Sequence, residues 1–194
     1  MTDRSDILAS VCARIEDGRL ADAAAILVRE YPFTQMANIS RRYSAIRCMR
    51  VFVRDGFIDR YSGARLIFPG TLRLIATIFP TEFPFHNNWR TDACHFAFYE
   101  LFPTIDHLIP VSRGGADCED NWVSTSMVRN AAKANFTIEE LGWRLLPLGN
   151  ISEWDGLTGW FLRQFESRSD LRKSVYLRRW AEAARRTLPN LNSN

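Results

Sequence analysis

The sequence predicts an α+β fold: a small core of two strands and a helix, flanked by helical regions at both ends. Three observations lead there. Apolar residues recur at helical spacing near each end, as Ile7, Leu8, Val11 and Ile15 in one region and Val175, Tyr176, Trp180 and Ala184 in the other. Aromatic and β-branched residues crowd 98–109 and return at 122–125, which reads as two strands. Between them lie Pro110 and Gly114-Gly115, residues suited to ending a strand and turning the chain. The 194 residues accordingly divide into an N-terminal helical region (1–54), a core (55–150) and a C-terminal basic helical region (151–194).

Taken in order, residues 5–17 and 20–30 read as two helices broken at Gly18. They carry no chemical groups of note, and their expected role is packing. Pro32 starts a break. Residues 39–53 read as a third helix, with Ile46, Met49 and Val53 on one side and Arg41, Arg42, Arg47, Arg50 and Arg54 over much of the rest. Residues 55–68 read as a β-hairpin turning at Ser62-Gly63. A short helix is expected at 71–79 and an irregular loop at 80–94. His86, Cys94 and His95 lie in or just after that loop. A zinc cluster or an extra phosphate-binding histidine is the alternative, but without finger spacing His95 is read as a hydrogen-bonded structural histidine and His86 as exposed. A helix over 127–134, capped by Thr125 or Ser126, completes the core. A short helix or turn follows at 138–146, then helices at 157–165 and 171–188 and a frayed tail at 191–194.

Composition narrows the class. Hydrophobic residues make up 46% and charged residues 24%, values of a chain that folds. No apolar run is long enough for a membrane span, and the first residues lack a signal-peptide core, so a cytoplasmic protein with no membrane partner is expected. Four cysteines without a CxxC pair argue against a disulfide framework and a four-cysteine zinc site. Net charge is only +3, but from Arg163 to Arg186 eight basic residues stand against three acidic ones. The positive charge is thus concentrated near the C-terminal end.

The chemistry gathers in 104–135, which holds an acid–histidine pair, a proline, a Gly-Gly turn and two spaced asparagines. Histidine, with an ordinary pKa near ~6.5, is suited to taking a proton from water at neutral pH. Asp106 offers an anionic oxygen and Asn130 a neutral amide oxygen, donors that suit a hard divalent ion keeping several waters. Together these point to a metal-dependent site that cuts a phosphodiester. Adjacent strand residues point to opposite faces, so Asp106 and His107 can share one site only if the strand bends or ends there.

The same stretch resembles the HNH endonuclease family, which has a ββα-metal fold. The resemblance rests on Asp106-His107, Pro110, Ser112-Arg113-Gly114-Gly115, Asn121, Asn130 and Lys133, with 14 positions from His107 to Asn121 and 9 from Asn121 to Asn130. It implies that Asp106 and Asn130 hold the ion, that His107 activates water, and that Asn121 fixes the loop carrying His107. It also implies phosphate contacts for Lys133 and Arg113. Many members carry a CxxCG zinc knuckle upstream. Here Asp59 and Ser62 stand at those places before Gly63, so no structural zinc is expected.

The expected function is therefore cleavage of DNA, double-stranded in the first instance, with Mg2+ as cofactor and Mn2+ or Ni2+ able to replace it. The basic face of the last helix, Arg178, Arg179 and Arg185 above all, is a candidate track for the phosphate backbone, and the arginines of 39–53 are a flanking one. One site cuts one strand per visit, so a homodimer or a larger defence or repair assembly is a candidate partner state. The alternative readings are a non-catalytic nucleic-acid-binding module and a component that stays dormant until a partner engages it.

Overall fold

Gly18, at φ +72°, ends the first helical run and lets the chain reverse. It separates α1 (Arg4–Glu16) from α2 (Leu20–Glu30), which pack on each other through Ile7, Val11 and Ala23. Leu8 and Ile15, expected on the apolar side, stay about half exposed. The computed structural model describes residues 4–33 and 43–188. The expected tail at 191–194 and the first part of the expected third helix, including Arg41 and Arg42, lie outside them. By its contacts the chain divides into two compact units, Met1–Ser40 and Arg41–Asn194.

The larger unit is mixed α+β. Ser44 caps α3 (Ala45–Arg54), its hydroxyl accepting from the Arg47 amide. Pro69, with no amide hydrogen to lose, opens α4 (Pro69–Ile78). A four-residue turn of helix, α5 (Ala97–Glu100), leads to β1 (Pro103–His107). The strand expected over 98–109 is thus shorter. Its first residues are helical because Phe98 is buried against Phe83, Phe85, Trp89 and Phe102. A loop with two 3-10 turns joins β1 to β2 (Trp122–Ser126), and α6 (Met127–Lys133) follows directly. Turns are confined to residues 138–142 of the expected 138–146, and α7 (Thr158–Ser167) and α8 (Val175–Thr187) close the described chain.

The strands pair antiparallel, Pro103 opposite Ser126 and His107 opposite Trp122. A two-stranded sheet is marginal by itself. Here α3 and α6 pack on it. The main core lies beside it, built from Met49 and Phe52 of α3, Phe57, Phe68, Leu74 of α4, Phe161 and Phe165 of α7, and Leu177, Trp180 and Ala184 of α8. Val175, expected on the apolar side of α8, is exposed, and Leu177 and Ala181 are buried in its place. No helix among the described residues is long and apolar enough to cross a membrane.

The hairpin expected over 55–68 reduces to one bridge, Ile58 with Arg65, and a turn held by a carboxylate. Asp59 Oδ1 accepts the amides of Tyr61 (3.0 Å) and Ser62 (3.2 Å), and Oδ2 accepts the Ser126 amide at 2.9 Å. Asp55, fully buried, accepts the Ser124 amide at 2.7 Å and pairs with Arg54 and Arg60. Two aspartates thereby tie this turn to β2 through charge-assisted hydrogen bonds.

Candidate active site

β1 ends at His107, so Asp106 and His107 occur where alternation along the strand stops. Both are nearly buried, and both line an open cleft of about 260 Å³ with Tyr43, Pro110, Val111, Asn130 and Asn135. Three residues singled out by the sequence, Asp106, His107 and Asn130, are therefore brought together.

Asn130 sits on the second turn of α6, where its amide nitrogen donates to Thr104 Oγ1 (3.1 Å) and to the Ile105 carbonyl (3.2 Å). A carbonyl only accepts, so the nitrogen must face β1, and the amide oxygen is left on the other side. Asn121 acts as a clamp. Its Oδ1 accepts the Ile109 amide at 2.9 Å, while Nδ2 donates to Ile109 O (2.9 Å) and Ala116 O (2.8 Å). These three bonds close the loop after His107. Gly115 is required there, because a Cβ would lie 1.9 Å from Ile109 O.

Lys133 departs from expectation. The phosphate role expected for it needs an exposed ammonium, yet it is fully buried. Nζ donates to the His107 carbonyl at 2.7 Å and pairs with Asp106 Oδ2 at 3.0 Å. Position i+3 on a helix fixed its side of α6 but not whether that side faced inward. The same Asp106 oxygen accepts the Tyr61 hydroxyl at 2.6 Å. Burial first, then the charge and hydrogen bond of Asp106, raise the Tyr61 pKa far above the usual phenol range, so the hydroxyl stays a donor. Asp106 is thus held through one oxygen by a phenol and an ammonium.

His107 is held through Nε2, which lies 2.8 Å from Asp117 Oδ1, 3.0 Å from Trp122 Nε1 and 3.4 Å from the Tyr43 hydroxyl. Asp117 Oδ1 also takes the Tyr43 hydroxyl (2.6 Å) and the Trp122 indole (3.1 Å). Partial burial would raise the Asp117 pKa. The bonds from Tyr43 and His107, with the imidazole charge and the indole, outweigh it and hold the carboxyl below the usual range. Tyr43, Tyr61, Asp117 and Trp122 were not anticipated as site residues. Asp117, two positions past the Gly-Gly turn, reads as an ordinary loop residue, and Tyr43 and Tyr61 lie far off in sequence.

The other expected contacts stand apart from the cleft lining. Arg113 is paired with Glu140 through both carboxylate oxygens, at 2.7 and 2.6 Å. Arg178, Arg179 and Arg185 are exposed on α8, where Arg185 meets Glu166 at 2.9 Å and Arg178 donates to the Arg172 carbonyl. Arg47 of α3 lies nearer, its guanidinium 4.4 Å from the centre of the Trp122 ring. His95 stacks on Phe83, Cys94 is bonded to the backbone of His86, and His86, expected to be exposed, is half-buried.

Among the described residues no three His, Cys, Asp or Glu side chains gather as a metal cage. The donor set at the cleft is a carboxylate and an oriented amide oxygen, hard oxygens that fit an ion keeping most of its water. No family model, curated protein or solved structure matches the chain.

Proposed function

We propose that this protein is a metal-dependent endonuclease of the HNH type, with a ββα-metal core, that hydrolyses phosphodiester bonds in double-stranded DNA. The observation that carries the reading is the meeting of Asp106, His107 and Asn130 on one open cleft, with the Asn130 amide oxygen turned away from β1. The strand–loop–strand–helix order around these residues agrees with the resemblance drawn from the sequence.

Asp106 and Asn130 would hold the ion, Mg2+ in the first place and Mn2+ or Ni2+ as substitutes. Such an ion neutralises charge developing on phosphate oxygens and lowers the pKa of bound water. His107 takes the proton from the attacking water as general base. Asn121 keeps the loop closed behind it, and Tyr61 and Lys133 keep the Asp106 carboxylate from rotating. The closed loop and the anchored carboxylate hold both groups at fixed points, which is most of what hydrolysis asks of a protein.

The experiment is plasmid nicking with the purified chain in Mg2+, Mn2+ or Ni2+, with and without EDTA. Metal-dependent relaxation of supercoiled plasmid, abolished by EDTA and by His107→Ala in a folded variant, is the expected result. Nicking that persists in either control, or no nicking of plasmid with any of the three ions, overturns the reading.

A further inference from the structure

We propose that Asp117 is a positioning residue that fixes the tautomer of His107, placing the ring proton on Nε2 and leaving the lone pair on Nδ1. The assignment follows from three donors converging on one oxygen. Asp117 Oδ1 lies within 2.6 Å of the Tyr43 hydroxyl, 2.8 Å of His107 Nε2 and 3.1 Å of the Trp122 indole nitrogen. An ionised carboxylate has no proton to offer. A contact of 2.8 Å between it and a ring nitrogen therefore needs the proton on the nitrogen. The indole also lies 3.0 Å from Nε2, but an N–H aimed at a protonated nitrogen gains nothing. Its proton goes to the carboxylate instead.

The same geometry says what happens without the carboxylate. Trp122 Nε1 would then be the nearest donor to Nε2, and an indole is a donor only. Nε2 would become an acceptor, and the ring proton would move to Nδ1. Asp117 thus decides between two tautomers that its neighbours would otherwise settle the other way. An imidazole whose second nitrogen is set by a carboxylate is a general way of orienting a histidine. The device is built from distant parts of the chain: Tyr43 precedes α3, Asp117 follows the Gly-Gly turn, and Trp122 begins β2. The tautomer claim stands on these contacts alone. Its effect on rate rests on the nuclease reading, in which His107 takes the proton from water and, with Nε2 protonated, does so through Nδ1.

The chain has three histidines, so long-range proton–nitrogen correlation spectra of 15N-labelled protein can be assigned with His86→Gln and His95→Gln as references. At about pH 8, where an ordinary imidazole is neutral, His107 is expected to show a protonated Nε2 and a bare Nδ1. Asp117→Ala is expected to reverse this pattern, Asp117→Asn to weaken it, and Asp117→Glu to keep it. A bare Nε2 in the parent, or an unchanged spectrum in a folded Asp117→Ala, overturns the proposal. On plasmid, kcat is expected to fall about 10- to 100-fold in Asp117→Ala with KM little changed. If the spectra behave as stated while the parent cuts no DNA, the nuclease reading fails and the tautomer assignment stands.

Discussion

The ammonium of Lys133 lies 3.0 Å from Asp106 Oδ2 and 2.7 Å from the carbonyl oxygen of His107, with none of its surface exposed. One buried cation thereby holds the last two residues of β1 to the end of α6. Removing it leaves Asp106 without its ionic partner and a carbonyl without a donor. Lys133→Met is expected to destabilise the protein by about 3 kcal/mol or more, read from urea unfolding. It should also cut nicking far below the parent rate under conditions where the variant is folded. A variant of parental stability would mean that the pair carries no net weight.

The two glycines of the loop make opposite demands. Gly114, at φ +87°, has open space around it, whereas Gly115 has no space at all beside Ile109 O. Gly114→Ala is expected to cost roughly 1 kcal/mol from backbone strain alone. Gly115→Ala must push the loop away from Ile109 and break the Asn121 clamp, so it should cost more and abolish nicking. Thermal unfolding and plasmid assays on the pair test the order, and equal effects would contradict it.

Asp59 holds three amides from two separate segments, and it is 1% exposed. Asp59→Ala leaves those donors unpaired and is expected to destabilise by roughly 2 kcal/mol or more. The turn is cross-linked by carboxylates, so EDTA is expected to stop cleavage without lowering Tm. A large fall in Tm on chelation would point to a structural metal.

The exposed arginines of α8 are ion-paired only in part. Reversing Arg178, Arg179 and Arg185 to Glu is expected to weaken binding to a DNA duplex in EDTA. It should also flatten the dependence of log K on log salt, by up to about 0.9 for each phosphate that is no longer neutralised. Arg47→Ala, which removes the guanidinium over Trp122, is a separate comparison. If the triple reversal leaves binding untouched, α8 does not meet DNA.

The elements that position the cleft were legible where residue type and spacing agreed. Asp106, His107 and Asn130 could be grouped because an imidazole, a carboxylate oxygen and an amide oxygen suit one hydrated ion and because their spacing resembles the HNH pattern. The role of Asn121 in the loop came from that resemblance alone. The supporting side chains were not legible. Tyr43 reaches His107 across 64 positions and Tyr61 reaches Asp106 across 45, and no local pattern encodes such a meeting. The sequence shows Lys133 on the same side of the helix as Asn130 but not that this side faces inward, because a charged side chain is ordinarily solvated. Aromatic density misled at 98–102, where Phe98 fills an aromatic cluster rather than a strand.

The packing of α7 and α8 against α3 and α4 changes what a shortened chain could do. Ending the polypeptide at residue 150 would strip Phe161, Phe165, Leu177, Trp180 and Ala184 from one side of Phe52, Phe57 and Phe68. The aspartate, histidine and asparagine would all survive such a cut, yet the hydrophobic floor beneath the helix and turn that brace them would be open to water. A minimal fragment that preserves this cleft must therefore keep the carboxyl-terminal helices, whether or not they ever touch nucleic acid.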